Sequence, residues 1–290
     1  MPLNLGYLGP AGTHSEAAVL AWRDHPQGGQ GIDLSLQPYP SIPQVLKQVA
    51  QGTLDLGLVP VENAIEGSVS ATLDSVWQLE GLQIQQALLW PIEQVLVTGA
   101  TDLATIENVY SHPQALGQCQ QWLEHWLPQA HLLATRSTTE ALAHAQMEAT
   151  SAAIVSPRAA EATALPVRAA GIQDHPDNVT RFWLVGREEA PGGHHTSLAF
   201  SLPANVPGAL GKPLGVFASR HLNLSRIESR PTKRSLGEYL FFVDVEGHGH
   251  DPALAAALIE LQAHTEVVKH LGSYDLLDLQ AARSPAGRDG

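Results

Sequence analysis

Four short runs of the 290-residue chain gather side chains able to bind carboxylates and move protons. The first, GPAGTHSEAA from Gly9 to Ala18, follows an apolar stretch and opens a helix, so its backbone N–H groups and the helix dipole can face an anion. Thr13 and Ser15 add hydroxyls of the kind that bind carboxylates, although a plain glycine-rich strand-to-helix turn has the same pattern. The run lacks both the P-loop lysine and the G-x-G-x-x-G spacing, so a nucleotide is not expected. The second, VPVENAIEGSV from Val59 to Val69, puts Glu62 and Asn63 at the C-terminal end of an apolar strand. That edge of an open α/β sheet is where ligands bind, though a capped turn is equally compatible. SHPQALGQC, Ser111 to Cys119, repeats the placement with Ser111, His112 and Gln118 near another helix start; the histidine reads as structural or catalytic. In DNVTRFWLVG, Asp177 to Gly186, Thr180, Arg181 and Phe182 enter an apolar strand, where an arginine needs a partner.

The charge balance limits what these groups can meet. With 16 Lys+Arg against 29 Asp+Glu the chain stands at −13 and has no basic tract, which excludes nucleic acid as the expected partner. Residues 1–187 hold seven basic and seventeen acidic side chains, so an anionic ligand must be attracted locally, by Arg181 and helix N-termini. Fourteen histidines include HGHD, His248 to Asp251, and the pair His194 and His195. A solvated turn accounts for the former, a closed zinc site wants about four ligands, and no metal is expected. The single cysteine, Cys119, cannot close an intrachain disulfide. No apolar run approaches the roughly 20 residues of a membrane span, and the start has no signal-peptide pattern, so the expectation is a cytoplasmic protein with no membrane partner.

These runs must be held by elements, and the pattern for them is α/β. Apolar strand-like stretches (3–8, 34–39, 56–61, 95–97, 109–111, 132–134, 152–156) alternate with amphipathic segments. Ile42, Val45, Leu46 and Val49 recur at helical spacing behind Ser41, and Ser137 with Glu140 forms a capping box. Around residues 82–97 two extended stretches flank Pro91 where a crossover helix would be expected, which starts a second lobe. The organisation read from this is a catalytic part over residues 1–187, with lobe 1 at about 1–80 and 168–187 and lobe 2 at about 81–167. Ligands in such folds bind between the lobes. EEAPGGHH, residues 188–195, reads as a linker, and residues 196–280 restart as strand, helix, two strands, helix, strand. That β-α-β-β-α-β order is ferredoxin-like. Its first helix is expected over 208–220 with a kink at Pro213, and its last strand over 267–274.

GPAGTHS, PVEN with EGSV, SHPQALGQC and NVTRF, in that order, resemble the prephenate dehydratase family, and the C-terminal part resembles the ACT regulatory domain, with PGAL (Pro207 to Leu210) and IESRP (Ile227 to Pro231). The resemblance implies a bilobal, periplasmic-binding-protein-like catalytic domain. It implies decarboxylative dehydration of prephenate to phenylpyruvate without metal or cofactor, and feedback inhibition by phenylalanine. By that similarity Thr180 lies beside the ring hydroxyl, Arg181 holds a carboxylate, and Phe182 lines the ring pocket, with Thr13, Ser15, Asn63, Ser111, His112 and Gln118 as further substrate contacts. A threonine hydroxyl is too weak an acid to ionise near neutrality, so it donates a hydrogen bond or relays a proton; Glu62, if kept protonated by burial, and His112 are the titratable alternatives. The phenylalanine site is expected at Asn205, Pro207, Gly208, Ala209 and Leu210 with Glu228, Ser229, Arg230 and Pro231. Two ACT domains would meet there, in a homodimer or homotetramer. Ala64, where the family has serine, and His14, where it has an aromatic residue, depart from the pattern. Arogenate dehydration and a non-catalytic amino-acid sensor are the competing functions. The length predicts no fused chorismate mutase or prephenate dehydrogenase domain, and a chain ending at Glu189 is expected to keep activity and lose phenylalanine sensitivity.

Overall fold

A computed structural model describes residues 2–280. The chain begins with β1 (Leu3–Leu8), α1 (His14–Asp24), β2 (Leu34–Tyr39), α2 (Ile42–Ala50), β3 (Leu56–Asn63), the two-residue β4 (Gly67–Ser68), α3 (Ser70–Gln78) and β5 (Gln83–Pro91). Thr13 caps α1 by accepting from the Glu16 N–H, and α2 buries its Ile42, Val45, Leu46 and Val49 stripe. The chain then leaves this sheet for β6 (Val95–Thr98), β7 (Asn108–Ser111), α4 (Pro113–Gly117), α5 (Gln120–Trp126), β8 (His131–Ala134), α6 (Thr138–Met147), β9 (Ser151–Val155), α7 (Pro157–Glu161) and β10 (Val167–Ala170). It returns through β11 (Val179–Gly186), which inserts antiparallel between β3 and β5.

The second sheet has the order β10-β6-β9-β7-β8 and its own core around Leu96, Val109, Leu123 and Ile154. Two crossovers, residues 92–94 and 171–178, join it to the first, which makes the two-lobed arrangement expected. The sheet change falls later than the sequence suggests at both ends. Strand β5, expected in lobe 2, pairs with β11 in the large sheet, and β10 pairs with β6 in the small one.

The C-terminal unit follows as β12 (His195–Ser201), α8 (Gly211–Ala218), β13 (Leu224–Pro231), β14 (Tyr239–Glu246), α9 (Pro252–Leu261) and β15 (Val267–Asp278). Its strand order β13-β14-β12-β15 is the ferredoxin-like order expected. Helix α8 starts three residues later than expected because Gly208 turns the chain at φ +81°. Pro213 therefore sits in the first turn, where no intrahelical N–H bond is lost, and the expected kink has no cause.

Strand β15 runs past Tyr274. Its first part pairs with β12, and Asp275–Asp278 then pair parallel with β5, fusing the C-terminal unit and lobe 1 into one ten-stranded sheet, β13-β14-β12-β15-β5-β11-β3-β1-β2, with β4 on β3. The switch occurs at Gly272, φ +131°, where a Cβ would lie 2.8 Å from the Ile84 carbonyl oxygen. One core runs across the junction: Val76 and Trp183 pack in the same cluster as Phe242 and Tyr274. No helix among the described residues is long and apolar enough to cross a membrane, and no group of three or more His, Cys, Asp or Glu among them could hold a metal ion.

Candidate active site

A cavity of about 480 Å³ lies between the lobes. Lobe 1 lines it from the C-terminal ends of β1 and β3 and the N-terminal end of the antiparallel β11 with Leu8, Pro60, Asn63, Thr180 and Phe182; lobe 2 supplies Ser111, Ile154 and Val155. The first turns of α1, α3 and α6 open onto it through Thr13 to Ser15, Ser68 and Val69, and Thr138, so three helix N-termini lend partial positive charge. Among the described residues no lysine or arginine lines the cavity; Glu66, His14 and His112 are its ionisable side chains.

Thr180 and Asn63 meet at the floor, both buried. The Asn63 amide donates to Thr180 Oγ1 at 2.9 Å and to Asn178 Oδ1 at 2.9 Å, while its Oδ1 accepts from the Ile65 and Glu66 N–H groups, each at 3.0 Å. With every polar atom of Asn63 committed, its orientation is fixed. The Thr180 oxygen serves as an acceptor in the wall, and among the described residues its own hydrogen is donated to no protein group. It is therefore available to something in the cavity.

Other expected residues arrive with part of their bonding spent. Thr13 caps α1 and donates to the Leu8 carbonyl, so its hydroxyl serves the helix, whereas Ser15, two residues on in the same first turn, also lines the cavity. Ser111 Oγ donates to the Ile154 carbonyl at 2.6 Å. His112 caps α4 with Nδ1 accepting from the Gln114 N–H at 3.3 Å, which assigns the ring proton to Nε2. Gln118 and Gln114 donate to the two carboxylate oxygens of Glu66 across the cleft, at 2.8 and 2.5 Å, and Ser156 Oγ donates to the Gly12 carbonyl at 2.6 Å. These bonds tie the lobes together. His14 lines the cavity and accepts from Trp90 Nε1 at 3.4 Å.

Two expected residues are elsewhere. Arg181 lies between Thr180 and Phe182 in an extended strand, where successive side chains point to opposite faces, so it turns away from the cavity. Its Nη1 bonds Asp244 Oδ2 on β14 at 3.0 Å. Glu62, its cross-strand neighbour, turns the same way, 3.8 Å from Arg181 and 3.6 Å from Arg226. Neither lines the cleft, which overturns a carboxylate-binding Arg181 and an acidic Glu62 at the substrate. Asn178, Gln94, Ser68 and Glu66 were not singled out from sequence. Asn178 lay inside the NVTRF run and carried a signal of type; nothing local to Gln94 points to it.

In the C-terminal unit, Asn205 lines a separate hollow of about 320 Å³ with Arg234, Tyr239, Phe241 and Glu266, and donates to the Gly237 carbonyl at 2.9 Å. The Ala209 and Gly211 N–H groups are used by the Val206 and Gly208 carbonyls. This leaves fewer amide donors than expected for a ligand carboxylate at Pro207 to Leu210. Arg230 is engaged too, its Nε 3.3 Å from Asp74 Oδ1 on α3, and Glu228, Ser229 and Pro231 share its strand at the outer edge of the sheet. None of Glu228 to Pro231 lines the Asn205 hollow.

Two lobes around a cleft of hydroxyls, amides and helix N-termini, with a βαββαβ unit built onto one lobe, define an enzyme of anionic small molecules carrying a regulatory domain. The chain belongs to the prephenate dehydratase family: that family's model matches residues 5–190, and the ACT domain model matches residues 196–262. It is 39% identical over 278 residues to a prephenate dehydratase of Mycobacterium sp. (strain JLS), covering 93% of this chain and 88% of that protein. Among solved structures it resembles the prephenate dehydratase of Arthrobacter aurescens in complex with L-Phe, at 37% identity and a TM-score of 0.84, over 99% of this chain and 93% of that one. It also resembles GqqA, described as a novel type of quorum-quenching acylase, at 28% identity and a TM-score of 0.79, over 93% of this chain and 97% of that one.

Proposed function

We propose that this chain converts prephenate to phenylpyruvate in phenylalanine biosynthesis, with Thr180 donating its hydroxyl hydrogen bond to the departing ring hydroxyl. The carrying observation is the direction of the Asn63–Thr180 bond, which leaves the threonine proton to the cavity. Prephenate loses its ring carboxylate as CO2 while the electron pair of that C–C bond enters the ring and expels the hydroxyl, which takes a proton and leaves as water. The aromatic ring formed drives the step, and the enzyme's task is to hold the dianion and assist the leaving oxygen. Phe182, Ile92 and Val155 offer an apolar bed for the ring. The first turn of α1 with Ser15, and the His112 Nε2–H, are suited to the two carboxylates.

L-phenylalanine is the inhibitor, bound at the C-terminal unit through the Asn205 to Leu210 turn and the Glu228 to Pro231 edge strand. The open edge of β13, with Ile227 exposed, suits a second copy of the chain, and we place the effector between two such units in a homodimer or homotetramer. The absence of a membrane-spanning helix among the described residues fits a cytoplasmic enzyme. The test is the purified chain with prephenate, with arogenate and with an N-acyl homoserine lactone, each with and without phenylalanine. Phenylpyruvate from prephenate, suppressed by phenylalanine, is expected. Turnover of arogenate alone, or of the lactone alone, overturns the assignment.

A further inference from the structure

Behind the floor of the cleft, Arg181 and Glu62 of lobe 1 face Asp244 and Arg226 of the ACT domain. Across the interface Arg181 Nη1 lies 3.0 Å from Asp244 Oδ2, and Arg226 Nε lies 3.6 Å from Glu62 Oε2. Within each domain the alternative pairs are nearly as close: Arg181 to Glu62 at 3.8 Å and Arg226 to Asp244 at 3.9 Å. The register explains why. Arg181 is the cross-strand partner of Glu62 on β11 and β3, and Arg226 that of Asp244 on β13 and β14. Each domain thus carries its own counter-charge, and docking lets the four exchange partners. Arg226 is buried, and its Nε and Nη1 make no hydrogen bond in this arrangement, so a shift of about 1 Å toward either carboxylate gains bonds that are now unmade.

We infer that Asp244 is a positioning residue of the ACT domain that acts through Arg181 on Thr180, and that exchange of the pairs Arg181–Asp244 and Arg226–Glu62 for Arg181–Glu62 and Arg226–Asp244 carries the regulatory state to the cleft. This rests on the proposed prephenate activity and its inhibition by phenylalanine. Asp244 is the fixed member: it is buried and accepts from Ser197 Oγ at 2.5 Å, which in turn is 2.6 Å from the Tyr274 hydroxyl. Each contact from this cluster reaches the cleft within one residue. Arg181 separates Thr180 from Phe182, Glu62 precedes the Asn63 that orients Thr180, and Arg226 Nη2 donates at 3.0 Å to Ser68, itself a cleft residue.

Asp244→Asn keeps the volume and can still accept from Ser197, but removes the charge that Arg181 follows. In the full-length protein it is expected to lower kcat with KM for prephenate unchanged. It should also weaken inhibition by phenylalanine about 10-fold or more, within the 5–150-fold range of allosteric coupling, while calorimetry shows phenylalanine still bound. The double variant Arg181→Gln/Asp244→Asn is expected to be no worse than the worse single one. Should Asp244→Asn fail to fold, Arg226→Gln tests the exchange from the second cation of the cluster, with the same expected loss of inhibition. Hydrogen exchange over residues 177–186 gives a readout without turnover: phenylalanine should change it in the wild type and not in Asp244→Asn. A wild type that makes no phenylpyruvate refutes the proposed function, and the exchange measurement then decides this inference alone. Folded Asp244→Asn or Arg226→Gln with wild-type kcat and phenylalanine response, additive single effects, or unchanged exchange in the wild type each overturn it.

Discussion

Thr180 depends on a neighbour that does no chemistry itself. Because Asn63 donates into the threonine oxygen, Thr180→Ala is expected to lower kcat by about 10²- to 10⁴-fold with little change in KM, and Thr180→Ser to restore most of it. Asn63→Asp reverses the donor at that bond, so the threonine proton is drawn into the wall and kcat should fall although the side-chain shape is kept; steady-state kinetics with prephenate check all three. Cys119 offers a prediction of another kind. Burial, with Asp174 adding to it, pushes its thiol up to about 12. The folded chain should resist thiol reagents at pH 8 and react once unfolded, since the thiolate is the nucleophile. A raised folded pKa also means that its contribution to stability is intact below the unfolded value near 9 and is lost as pH rises through about 12. Thr180, Phe182, Asn63, Ser111 and His112 were legible in the sequence because their types and order were distinctive. Arg181 and Glu62 were misplaced because a contiguous motif was read as a contiguous surface. Once β11 is a strand, alternation alone sends Arg181 to the side opposite Thr180 and Phe182.

Beside the β15–β5 junction, helix α3 is a second element through which the two domains touch. Its first turn faces the cleft, Asp74 at its middle meets Arg230 and Lys233 of the C-terminal unit, and Lys269 of β15 donates to the Trp77 and Leu79 carbonyls at its C-terminal end. Burial raises the Asp74 carboxyl, but hydrogen bonds from Lys233 and Arg230, aided by their charges, outweigh it and hold the group below the usual carboxylate range. A depressed carboxylate contributes stability above its unfolded pKa of about 3.9 and loses it as pH falls through the lower folded value. Asp74→Asn is therefore expected to cost about 1.5–3 kcal/mol in urea unfolding at pH 7, the range for hydrogen bonds to charged groups, and progressively less as pH falls below about 4. A gap between variant and wild type that stays constant down to pH 2 would count against the ion pair. The helix itself was not read from the sequence, since Ser70 to Gln78 lacks a capping side chain and follows a motif that drew attention to its turn. Helix α8 shows the converse. Its apolar spacing was legible, yet its start was misread because the positive φ at Gly208 has no signature beyond the glycine.

At the scale of the molecule, the expectation that the catalytic part stands alone ignores the last strand. The ferredoxin-like pattern is complete at Tyr274, so the alternation of Leu277 and Leu279 with Asp278 belongs to no element of that pattern, although both leucines are buried in the core of lobe 1. They pack with Leu88, Trp90 and Phe182, the last a cleft residue, and Asp275–Asp278 pair with β5 from Gln86 to Leu89. A chain ending at Glu189 therefore uncovers a whole edge of β5 and should lose activity together with phenylalanine sensitivity, by unfolding and not by deregulation. The discriminating variant ends at Tyr274: it keeps every pairing of β12 with β14 and β15 within the C-terminal unit and removes only the segment laid on β5. Losing two buried leucines costs about 2–5 kcal/mol each, an appreciable share of the roughly 5–15 kcal/mol that holds an ordinary domain together. Urea unfolding of the Tyr274-terminated chain should show a lowered midpoint and a catalytic part that unfolds first, with hydrogen exchange accelerated at residues 83–91 and 179–186. A control ending at Gln280 should match the full chain in midpoint and kcat. If the Tyr274-terminated chain matches that control in both, the strand is an appendage of the ACT domain, and the joined sheet does not hold the cleft.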